Sequence, residues 1–390
     1  MRKINVIINA RIPTQKAHGI QVMNLCKEFA EAGFDVTMII PFRFNKIKDD
    51  PFTYYDIKPI FKIKKLPSLD VIPLSTFLGK FGYLIQSFSF AASLLLYCLF
   101  CTEGDDFFYS REEISLFPLL FVRSNVFYEM HDYPSEHKIY RIFFKKIMGI
   151  VATNKWKKDN VKERFKINPE KIIVYPNAVN IGRFDITLSK EEARRTLGIP
   201  PEDKVILYTG HLYVWKGVYT LMSSIKYLKD QTIKIYFVGG MESDRKKLLE
   251  FAEAQDIASA RFSLIEHQPH EKIPFFLKAA DVLVLPNTAK EKISQFYMGG
   301  PLKLMEYMTA SRPIVASDLT SVREIVDEST ALLFKPDDPV SLANALDQIT
   351  IDGNLAEKIA IRSRENVEKF SWKNRINGIK EFMLKAVAIH

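Results

Sequence analysis

The stretch DVLVLPNTAKEKISQFYMGGPLKLMEYMTASRPIVASD, residues 281–318, decides the fold because it joins two buried strands through one helix. Its ends, DVLVL (281–285) and IVA (314–316), are short and almost wholly apolar, and a helical pattern begins after Gly299-Gly300-Pro301. Apolar strands that alternate with helices are typical of a parallel sheet covered on both faces. The stretch therefore predicts a strand–helix–strand unit of an α/β domain.

The same alternation runs through the rest of the chain. In the first half, strands are predicted at Ile4–Ile8, Asp35–Ile40, Phe107–Tyr109, Val126–Glu129, Ile150–Thr153 and Ile172–Tyr175, with helices at Ile20–Ala32, 81–101, Glu136–Met148 and Lys157–Phe165. In the second half, strands are predicted at Val205–Thr209, Ile233–Val238, Asp281–Leu285 and Ile314–Ala316, with helices at Val218–Leu228, Ser243–Ala254, 338–370 and 372–388. Because 390 residues are too many for one ordinary core, we expect two doubly wound domains that meet near PNAVNIGRFD, residues 176–185.

The net charge of +9 lies mostly in the first half, where residues 1–180 carry 26 Lys and Arg against 18 Asp and Glu. This excess indicates an anionic partner. No nucleic-acid-binding motif is visible, so we expect no nucleic-acid partner. Basic and aromatic residues mix in FRFNKIK, FKIKKLP and NKWKKDN in a way that suits an anionic membrane surface. A solvated basic face without a partner is the alternative.

The uncharged run FGYLIQSFSFAASLLLYCLFC (81–101) is just long enough to span a bilayer. Four polar positions interrupt it, so we predict a helix packed on the flank of a sheet, with a true span or shallow membrane insertion as alternatives. Three cysteines are too few for a disulfide framework, and no signal peptide is expected from the start of the sequence. These features predict a cytoplasmic protein, peripheral on the inner face of the cell membrane if the basic face binds lipid.

Polar residues follow the predicted strands of the first half where they should reach a cleft. Lys16, His18 and Gly19 stand between the first strand and its helix, and His131 and Asp132 follow the strand that ends at Glu129. In doubly wound sheets, ligands bind outside the carboxyl ends of the strands. These residues are therefore candidates for ligand contacts, with an ordinary loop, or a histidine satisfied by its neighbouring aspartate, as the alternative.

In the second half, Gly210, His211 and Lys216 leave a strand in YTGHLYVWKGV. A lysine beside glycines suits a diphosphate, because the charge and the nearby backbone amides both favour an anion. Read alone, Lys216 is also consistent with a solvated surface lysine.

The helix after Gly299-Gly300 offers a second anion site. Pro301 fits the first turn, the free amides of Leu302 and Lys303 would point at an anion, and Glu306 lies one turn further along. A carboxylate there can accept two hydroxyls of a ribose. The alternative is a surface ion pair between Glu306 and Lys303.

Taken together, these motifs resemble the retaining nucleotide-sugar glycosyltransferases of family four. KAHGIQVMNLCKEFAEAGFDVT, EMHD, YPNAVNIGRF, GHLYVWKGV, AADVLVLPN, PLKLMEYMTASRPIVASDLTSVREIV and FSWKNR occur in the order of the family. The resemblance implies the GT-B fold, with two facing Rossmann-like domains, parallel sheets and a cleft between them. The expected domains are 1–180 for the acceptor, joined by the closing helix 373–390, and 181–372 for the nucleotide sugar.

The resemblance also implies roles for individual residues. Lys216 would hold the donor diphosphate, Glu306 the ribose hydroxyls, and His131 would lie near the donor sugar, which makes these three the expected catalytic residues. His267 would border the base. The remaining expected donor contacts are Gly19, Gly210, His211, Gly299, Gly300, Leu302 and Lys303, and the expected acceptor contacts are Lys16, His18 and Asp132.

Two positions depart from the pattern of the family. Many members have a second Glu eight positions before the ribose-binding one, where this chain has Met298, and many have Arg where His211 stands. The motif PLKL-x-EYM, which contains Lys303, resembles a subgroup that lacks the first Glu. Lys303 would compensate electrostatically for the loss of that Glu. The departures affect the sugar identity more than the reaction class.

The resemblance implies transfer of a sugar from a nucleoside diphosphate to an acceptor hydroxyl with retention, without a metal or other cofactor. A lipid-linked or lipopolysaccharide-like glycan fits the basic first domain. One alternative is a nucleotide-sugar epimerase of similar architecture, with Glu129 and Asp132 as the candidate acids. The other is a non-catalytic member that binds a nucleotide sugar or a membrane.

Overall fold

The computed structural model describes residues 2–71, 75–135, 137–297 and 299–389. The chain divides into two compact units. Unit 1 comprises Met1–Tyr175 and Trp372–His390, and unit 2 comprises Pro176–Ser371. The closing helix therefore belongs to the unit that contains the start of the chain.

The elements are numbered in chain order. The strands are β1 (Lys3–Ile7), β2 (Asp35–Pro41), β3 (Lys62–Leu66), β4 (Phe107–Ser110), β5 (Val126–Met130), β6 (Gly149–Ala152), β7 (Ile172–Val174), β8 (Lys204–Thr209), β9 (Ile233–Val238), β10 (Phe262–Ile265), β11 (Val282–Leu285), β12 (Ile314–Ser317) and β13 (Leu332–Phe334). The helices are α1 (Ala17–Glu31), α2 (Pro51–Tyr55), α3 (Ser75–Cys101), α4 (Glu113–Leu116), α5 (Ile139–Lys146), α6 (Lys155–Phe165), α7 (Ile181–Phe184), α8 (Lys190–Leu197), α9 (Val218–Ser224), α10 (Glu242–Ala254), α11 (Ile273–Ala279), α12 (Leu302–Thr309), α13 (Thr320–Arg323), α14 (Pro339–Ile351), α15 (Gly353–Asn366) and α16 (Trp372–Ile389).

Each unit contains one parallel sheet. Over the described residues, unit 1 has seven strands in the order β3-β2-β1-β4-β5-β6-β7, and unit 2 has six in the order β10-β9-β8-β11-β12-β13. In each sheet the order reverses once, between β1 and β4 and between β8 and β11, and ligands of such sheets bind outside the strand ends at that reversal. The prediction of two parallel-sheet, Rossmann-like domains is confirmed.

The interior strands of both sheets are apolar on both faces. β4, β5, β6, β11 and β12 are buried throughout, which is possible only when helices cover both faces of the sheet. The prediction missed β3, β10 and β13. β3 reads KIKKL and is exposed at most positions, as suits an edge strand, and the other two are only three or four residues long.

Helix α3 packs on unit 1 with one face and exposes the other. Phe90, Leu94 and Cys98 are fully buried, whereas Phe81, Phe88 and Phe100 are 62–81% exposed. Within the part of the chain that the structure describes, 81–101 is the one helix long and apolar enough to cross a membrane, and a third of its most apolar window is buried. The predicted packing on the sheet flank is present for one face only.

Candidate functional site

The loop after β8 lies at the strand-order reversal of unit 2. It opens with Gly210, whose φ of +114° suits glycine, and an added Cβ there would lie 2.9 Å from Nζ of Lys303. Gly217 has φ of +71°, and its Cβ would lie 1.7 Å from the carbonyl oxygen of Pro286. The two glycines let the loop approach α12 on one side and the end of β11 on the other.

Lys216 lies in this loop with its ammonium over an aromatic ring. Its Nζ is 3.8 Å from the centroid of the Trp215 ring, and the carbonyl of Trp215 accepts a 3.2 Å hydrogen bond from the amide of Thr288. Burial lowers the pKa of Lys216 to about 8. A partly desolvated ammonium of this kind gains from an anionic ligand.

Lys303 brings a second ammonium to the same loop. Its Nζ lies 3.7 Å from the centroid of the Tyr208 ring, is buried, and has no hydrogen-bond partner among the described residues. Burial and the nearby charge of Lys216 lower its pKa well below the ordinary value, and Glu306 opposes this effect. An unpaired buried ammonium beside another cation indicates a place for negative charge.

Glu306 lies one turn further along α12. Its Oε1 is 3.5 Å from Nε2 of His270, and its side chain is 19% exposed. The hydroxyl of Tyr307 accepts a 2.9 Å hydrogen bond from the amide of Thr209, which fixes α12 against the end of β8. The alternative of a surface pair between Glu306 and Lys303 does not describe this geometry, because the Lys303 ammonium is buried beneath the loop.

The diglycine before α12 is held in place. Asn177 donates from its amide to the carbonyl of Gly299 at 2.9 Å and from its side chain to the carbonyl of Gly300 at 3.3 Å. Intrahelical bonding starts with the amides of Leu304 and Met305, which both donate to Pro301. The amides of Leu302 and Lys303 therefore precede this bonding, as the anion-site prediction requires. Met298, the position of the missing Glu, lies outside the described residues.

His211 lies near the two lysines, and His267 lies near His211. The His211 ring stacks on Tyr213 with centroids 4.8 Å apart and planes at 5°. Burial, Lys216, Lys303 and His267 all lower the pKa of His211. His211 is thus disfavoured as a cation, so it does not add a third positive charge beside Lys216 and Lys303.

Unit 2 also contains a cavity of about 500 Å³, away from the loop after β8 and the start of α12. Its lining includes Asp281 and Pro313, which directly precede β11 and β12. It is therefore at the amino ends of the strands, opposite the loops described above. Ligands of doubly wound sheets bind at the other edge.

In unit 1, a buried ionic cluster lies below the end of β5. Oε1 of Glu129 is 3.1 Å from Arg111, 2.7 Å from Arg375 and 2.5 Å from Nε2 of His131, and Tyr109 donates its hydroxyl to Oε2. Burial alone would raise the pKa of Glu129, but the two arginines and His131 hold it well below its ordinary value. His131 is therefore satisfied by Glu129 and not by Asp132.

Beside this cluster is a cavity of about 290 Å³. It is lined by His18, Tyr83, Arg111, Glu112, Glu113, Ile114, His131 and Asp132. It lies at the strand-order reversal of unit 1, because His18 follows β1 and Arg111 follows β4. The structure thus brings together three residues that the sequence predicted, His18, His131 and Asp132.

Lys16 and Gly19 do not line this cavity. Lys16 is exposed at the start of α1, and its carbonyl accepts the amide of Gly19 at 2.9 Å. A Cβ at Gly19 would lie 2.0 Å from the hydroxyl of Tyr55, which bonds to the backbone of Thr14. Gly19 therefore makes room for this packing contact.

Sequence reasoning missed Arg111, Glu112, Glu113 and Arg375. One signal was available: Glu129 falls inside a buried strand, and a buried carboxylate needs cationic partners. The partners come from distant positions, so the signal does not say which arginines they are.

Three carboxyls of unit 1, Glu103, Asp105 and Asp106, have ligand-type atoms within 4.8 Å of one another. Lys3 pairs with Glu103, and Asn5 donates to Asp106 at 3.3 Å. The group precedes β4 and so lies at the opposite sheet edge from the cavity. The absence of a metal requirement stays a prediction.

A comparison with known protein families finds a match within unit 2. Residues 189–366 match the family described as glycosyl transferases group 1. The chain therefore carries a group 1 glycosyltransferase domain, and the match covers the Lys216 loop and α12.

Two curated relatives cover part of the chain. An uncharacterized glycosyltransferase of Methanocaldococcus jannaschii is 28% identical over 58% of this chain and 57% of its own length. A D-inositol 3-phosphate glycosyltransferase of Corynebacterium urealyticum is 29% identical over 57% of this chain and 53% of its own length. The chain thus matches only about half the length of these relatives.

Solved structures are similar over almost the whole chain. A glycosyltransferase from Rickettsia africae aligns with a TM-score of 0.77 at 16% identity, covering 99% of this chain and 98% of its own. Anabaena HepE, solved with UDP and glucose, aligns at 0.73 and 16%, covering 99% and 100%. WaaG, a glycosyltransferase involved in lipopolysaccharide biosynthesis, aligns at 0.67 and 14%, covering 96% and 99%. These similarities establish the GT-B fold.

Proposed function

We propose that the chain is a retaining glycosyltransferase that moves a sugar from a nucleoside-diphosphate sugar to an acceptor hydroxyl. The observation that carries the proposal is the meeting of the Lys216 and Lys303 ammoniums at the loop after β8, with Glu306 one turn further along α12. This order of charges matches a ligand with phosphates at one end and ribose hydroxyls beyond them. A structural neighbour solved with UDP and glucose supports a nucleotide donor.

The two lysines would share the diphosphate. Lys303 lies against Gly210, at the start of the loop, and so supplies positive charge near the position where many members of family four have arginine. His211 occupies that position here and is disfavoured as a cation. The pairing supports membership of the subgroup with the PLKL-x-EYM motif.

The chemical step follows from this arrangement. The acceptor oxygen bonds to the anomeric carbon as the bond from that carbon to the diphosphate breaks, and the acceptor proton passes to a phosphate oxygen on the same face. Negative charge grows on the leaving diphosphate, where Lys216, Lys303 and the amides before Leu304 stabilise it. Fixed positive charge of this kind supports a reaction without a metal.

The ionic cluster around Glu129 argues against the epimerase alternative. Glu129 is bound by two arginines and a histidine, and its pKa is held low, so it is unsuited to deliver a proton. Asp132, the other candidate acid, is exposed at the cavity. Product analysis without added acceptor separates the two reactions.

An anionic membrane surface is the proposed location of the acceptor. The exposed face of α3 carries Phe81, Phe88 and Phe100, and Phe121 near the end of α3 is 56% exposed with the Lys146 ammonium 4.7 Å from its ring centroid. Lys64 lies 5.9 Å from the ring centroid of Tyr97, on α3 itself. Apolar side chains flanked by lysines suit shallow insertion among anionic headgroups. The proposed acceptor is accordingly a lipid-linked or cell-surface glycan, reached from the cytoplasmic side.

A thermal-shift screen with UDP, GDP, ADP and CMP tests the donor site. Ligand at about 100 times its dissociation constant adds roughly 2.7 kcal/mol to the free energy of unfolding. One nucleoside diphosphate should raise the melting temperature of the wild type, and it should raise that of Glu306→Ala far less. Glu328→Ala, which removes an exposed carboxylate of the same unit, is the control and should behave like the wild type. No shift with any nucleotide, or an equal shift in the Glu306 variant, contradicts the proposed donor site.

A further inference from the structure

The cavity of unit 1 is acidic although the first half of the chain is basic. Its lining contains three carboxyls, Glu112, Glu113 and Asp132, and one cation, Arg111, which shares the Glu129 carboxylate with Arg375. Carboxyls therefore outnumber cations in this lining, whereas residues 1–180 as a whole carry more Lys and Arg than Asp and Glu.

The two histidines of the cavity do not add positive charge to its lining. Burial and the charge of Arg111 lower the pKa of His18 and of His131 to about 4. Both rings are therefore neutral near pH 7. Since Nε2 of His131 faces Glu129, its other nitrogen remains to accept a hydrogen bond.

Two of the carboxyls, Glu112 and Glu113, are oriented by hydrogen bonds from other parts of unit 1. Glu112 accepts the amide of Asn9 at 3.0 Å, and Asn9 is itself fixed by Ser87 and Gln86 of α3 at 3.0 and 2.8 Å. Glu113 accepts the hydroxyl of Tyr128 at 2.5 Å. Glu112 and Glu113 are thus held in position before any ligand binds, which lowers the entropic cost of recognition.

Arg111 provides a donor among these acceptors. Its side chain is 6% exposed, and its Nε is buried without a hydrogen-bond partner within the described parts of the chain. A buried guanidinium nitrogen left unpaired at a cavity wall indicates that a ligand atom completes its bonding.

We propose that this cavity binds the acceptor through its hydroxyl groups and selects an uncharged, polyhydroxylated sugar end over a phosphorylated or carboxylated one. The inference rests on the proposed function, since it names the acceptor of that same reaction. A hydroxyl both donates and accepts, so it can bond to the carboxyls and to Arg111 at once. An anion accepts only, so it cannot donate to Glu112 or Glu113, and it would be repelled by Asp132 and by whichever of the two glutamates is ionised.

The size and place of the cavity agree with this class of ligand. A volume of about 290 Å³ is at the lower end for small-molecule pockets, which suits a sugar ring and not a long oligosaccharide. Tyr83 lines the cavity, and its helix neighbours Leu84, Ile85 and Phe88 are exposed on the apolar face of α3. A neutral sugar end would thus be bound beside a surface that attracts the anionic part of a lipid carrier.

Saturation-transfer NMR on the full chain tests the selection directly. The probes are methyl α-D-glucopyranoside, methyl α-D-mannopyranoside and methyl α-D-galactopyranoside, each compared at pH 7.5 with methyl α-D-glucopyranosiduronate, which bears a carboxylate. We expect at least one neutral glycoside to bind the wild type at least tenfold more tightly than the uronate. Binding of the uronate with equal or greater affinity, or no signal from any neutral glycoside, overturns the proposal.

Variants assign the signal to the cavity. Glu112→Gln and Glu113→Gln should weaken the binding of the neutral glycosides severalfold and reduce the difference in affinity between them and the uronate. Glu163→Gln, at an exposed carboxyl of α6, should bind the probes like the wild type. Unchanged selectivity in both cavity variants overturns the proposal. The nucleotide-induced thermal shift is measured on the same samples, because it reports unit 2 and so separates failure of the donor site from failure of the acceptor cavity.

Discussion

Nη2 of Arg375 lies 2.7 Å from Oε1 of Glu129, and both side chains are almost completely buried. The bond joins the first turn of α16 to β5, across 246 positions of the chain. It therefore fastens the closing helix to the sheet of unit 1.

Removing the arginine should destabilise unit 1 strongly. Arg375→Met leaves a buried carboxylate with fewer cationic partners, which costs about 3–5 kcal/mol. Urea unfolding followed by circular dichroism should show this loss, whereas Lys373→Met, at an exposed position of the same helix, should change stability by less than about 0.5 kcal/mol. Equal stability of the two variants would mean that Arg375 does not hold α16.

This pair also shows how far the sequence can predict the site. Buried strands and glycine-rich loops are local features, so the two sheets and the Lys216 loop could be predicted from apolar runs and turn residues. The partners of Glu129 could not, because pairing of distant charges depends on the packed structure. From its sequence alone Glu129 is a candidate catalytic acid, whereas in the structure it is the centre of an ionic cluster.

The same limit applies to Lys303. Its spacing from Glu306 predicts either a ligand contact or a surface pair, and spacing alone cannot separate them. The structure places its ammonium over Tyr208 and against Gly210, on a different element. Glu112 and Glu113 were missed for a related reason, since two carboxyls at the start of a short helix carry no pattern until the fold closes a cavity around them.

Gly217 should not tolerate a side chain. Its φ of +71° costs an alanine about 1–2 kcal/mol, and its Cβ would overlap the carbonyl oxygen of Pro286. Gly217→Ala should therefore shift the Lys216 loop, lower the melting temperature and weaken nucleotide binding together. Gly353→Ala is the control, because nothing lies within 4 Å of its Cβ and it starts a helix, so stability should stay equal or rise. Tight nucleotide binding by Gly217→Ala would contradict the proposed place of the diphosphate.

Diphosphate affinity should fall as the pH rises past about 8. Burial lowers the pKa of Lys216 to about 8 in the ligand-free protein, so above this pH the ammonium must be protonated again before it binds an anion. Calorimetric titration of the nucleoside diphosphate between pH 7 and 9.5 should show the dissociation constant rising toward tenfold per pH unit. Lys216→Arg stays charged and should reduce this dependence. Lys303 is the same in both proteins, so superimposable profiles would exclude Lys216 as the titrating group.

Glu112 should make unit 1 less stable as the pH rises from about 5 to 7. Burial raises its pKa to about 7, with Glu113 adding to the effect and Arg43 opposing it, while an unfolded glutamate titrates near 4.3. Between these values the folded state binds the proton that the unfolded state has lost, so the free energy of unfolding falls with increasing pH. The free energy of unfolding of Glu112→Gln, relative to that of the wild type, should increase by about 1–3 kcal/mol across this window. Urea unfolding at pH 5, 6, 7 and 8 measures it, with Glu163→Gln as the baseline, and a constant difference would refute the shifted titration.

The exposed face of α3 should bind anionic membranes. Phe88 and Phe100 are 62% and 81% exposed, and burial of each ring in a bilayer interface is worth up to about 1.5–3 kcal/mol. Phe88→Ser with Phe100→Ser should therefore lower cosedimentation with phosphatidylglycerol-containing vesicles by tenfold or more. Binding of the wild type should also weaken with added salt, because lysines flank the face. Ile351→Ser with Ile361→Ser removes two exposed side chains from unit 2 and should leave vesicle binding unchanged. Equal binding by the two double variants would show that α3 is not the membrane contact.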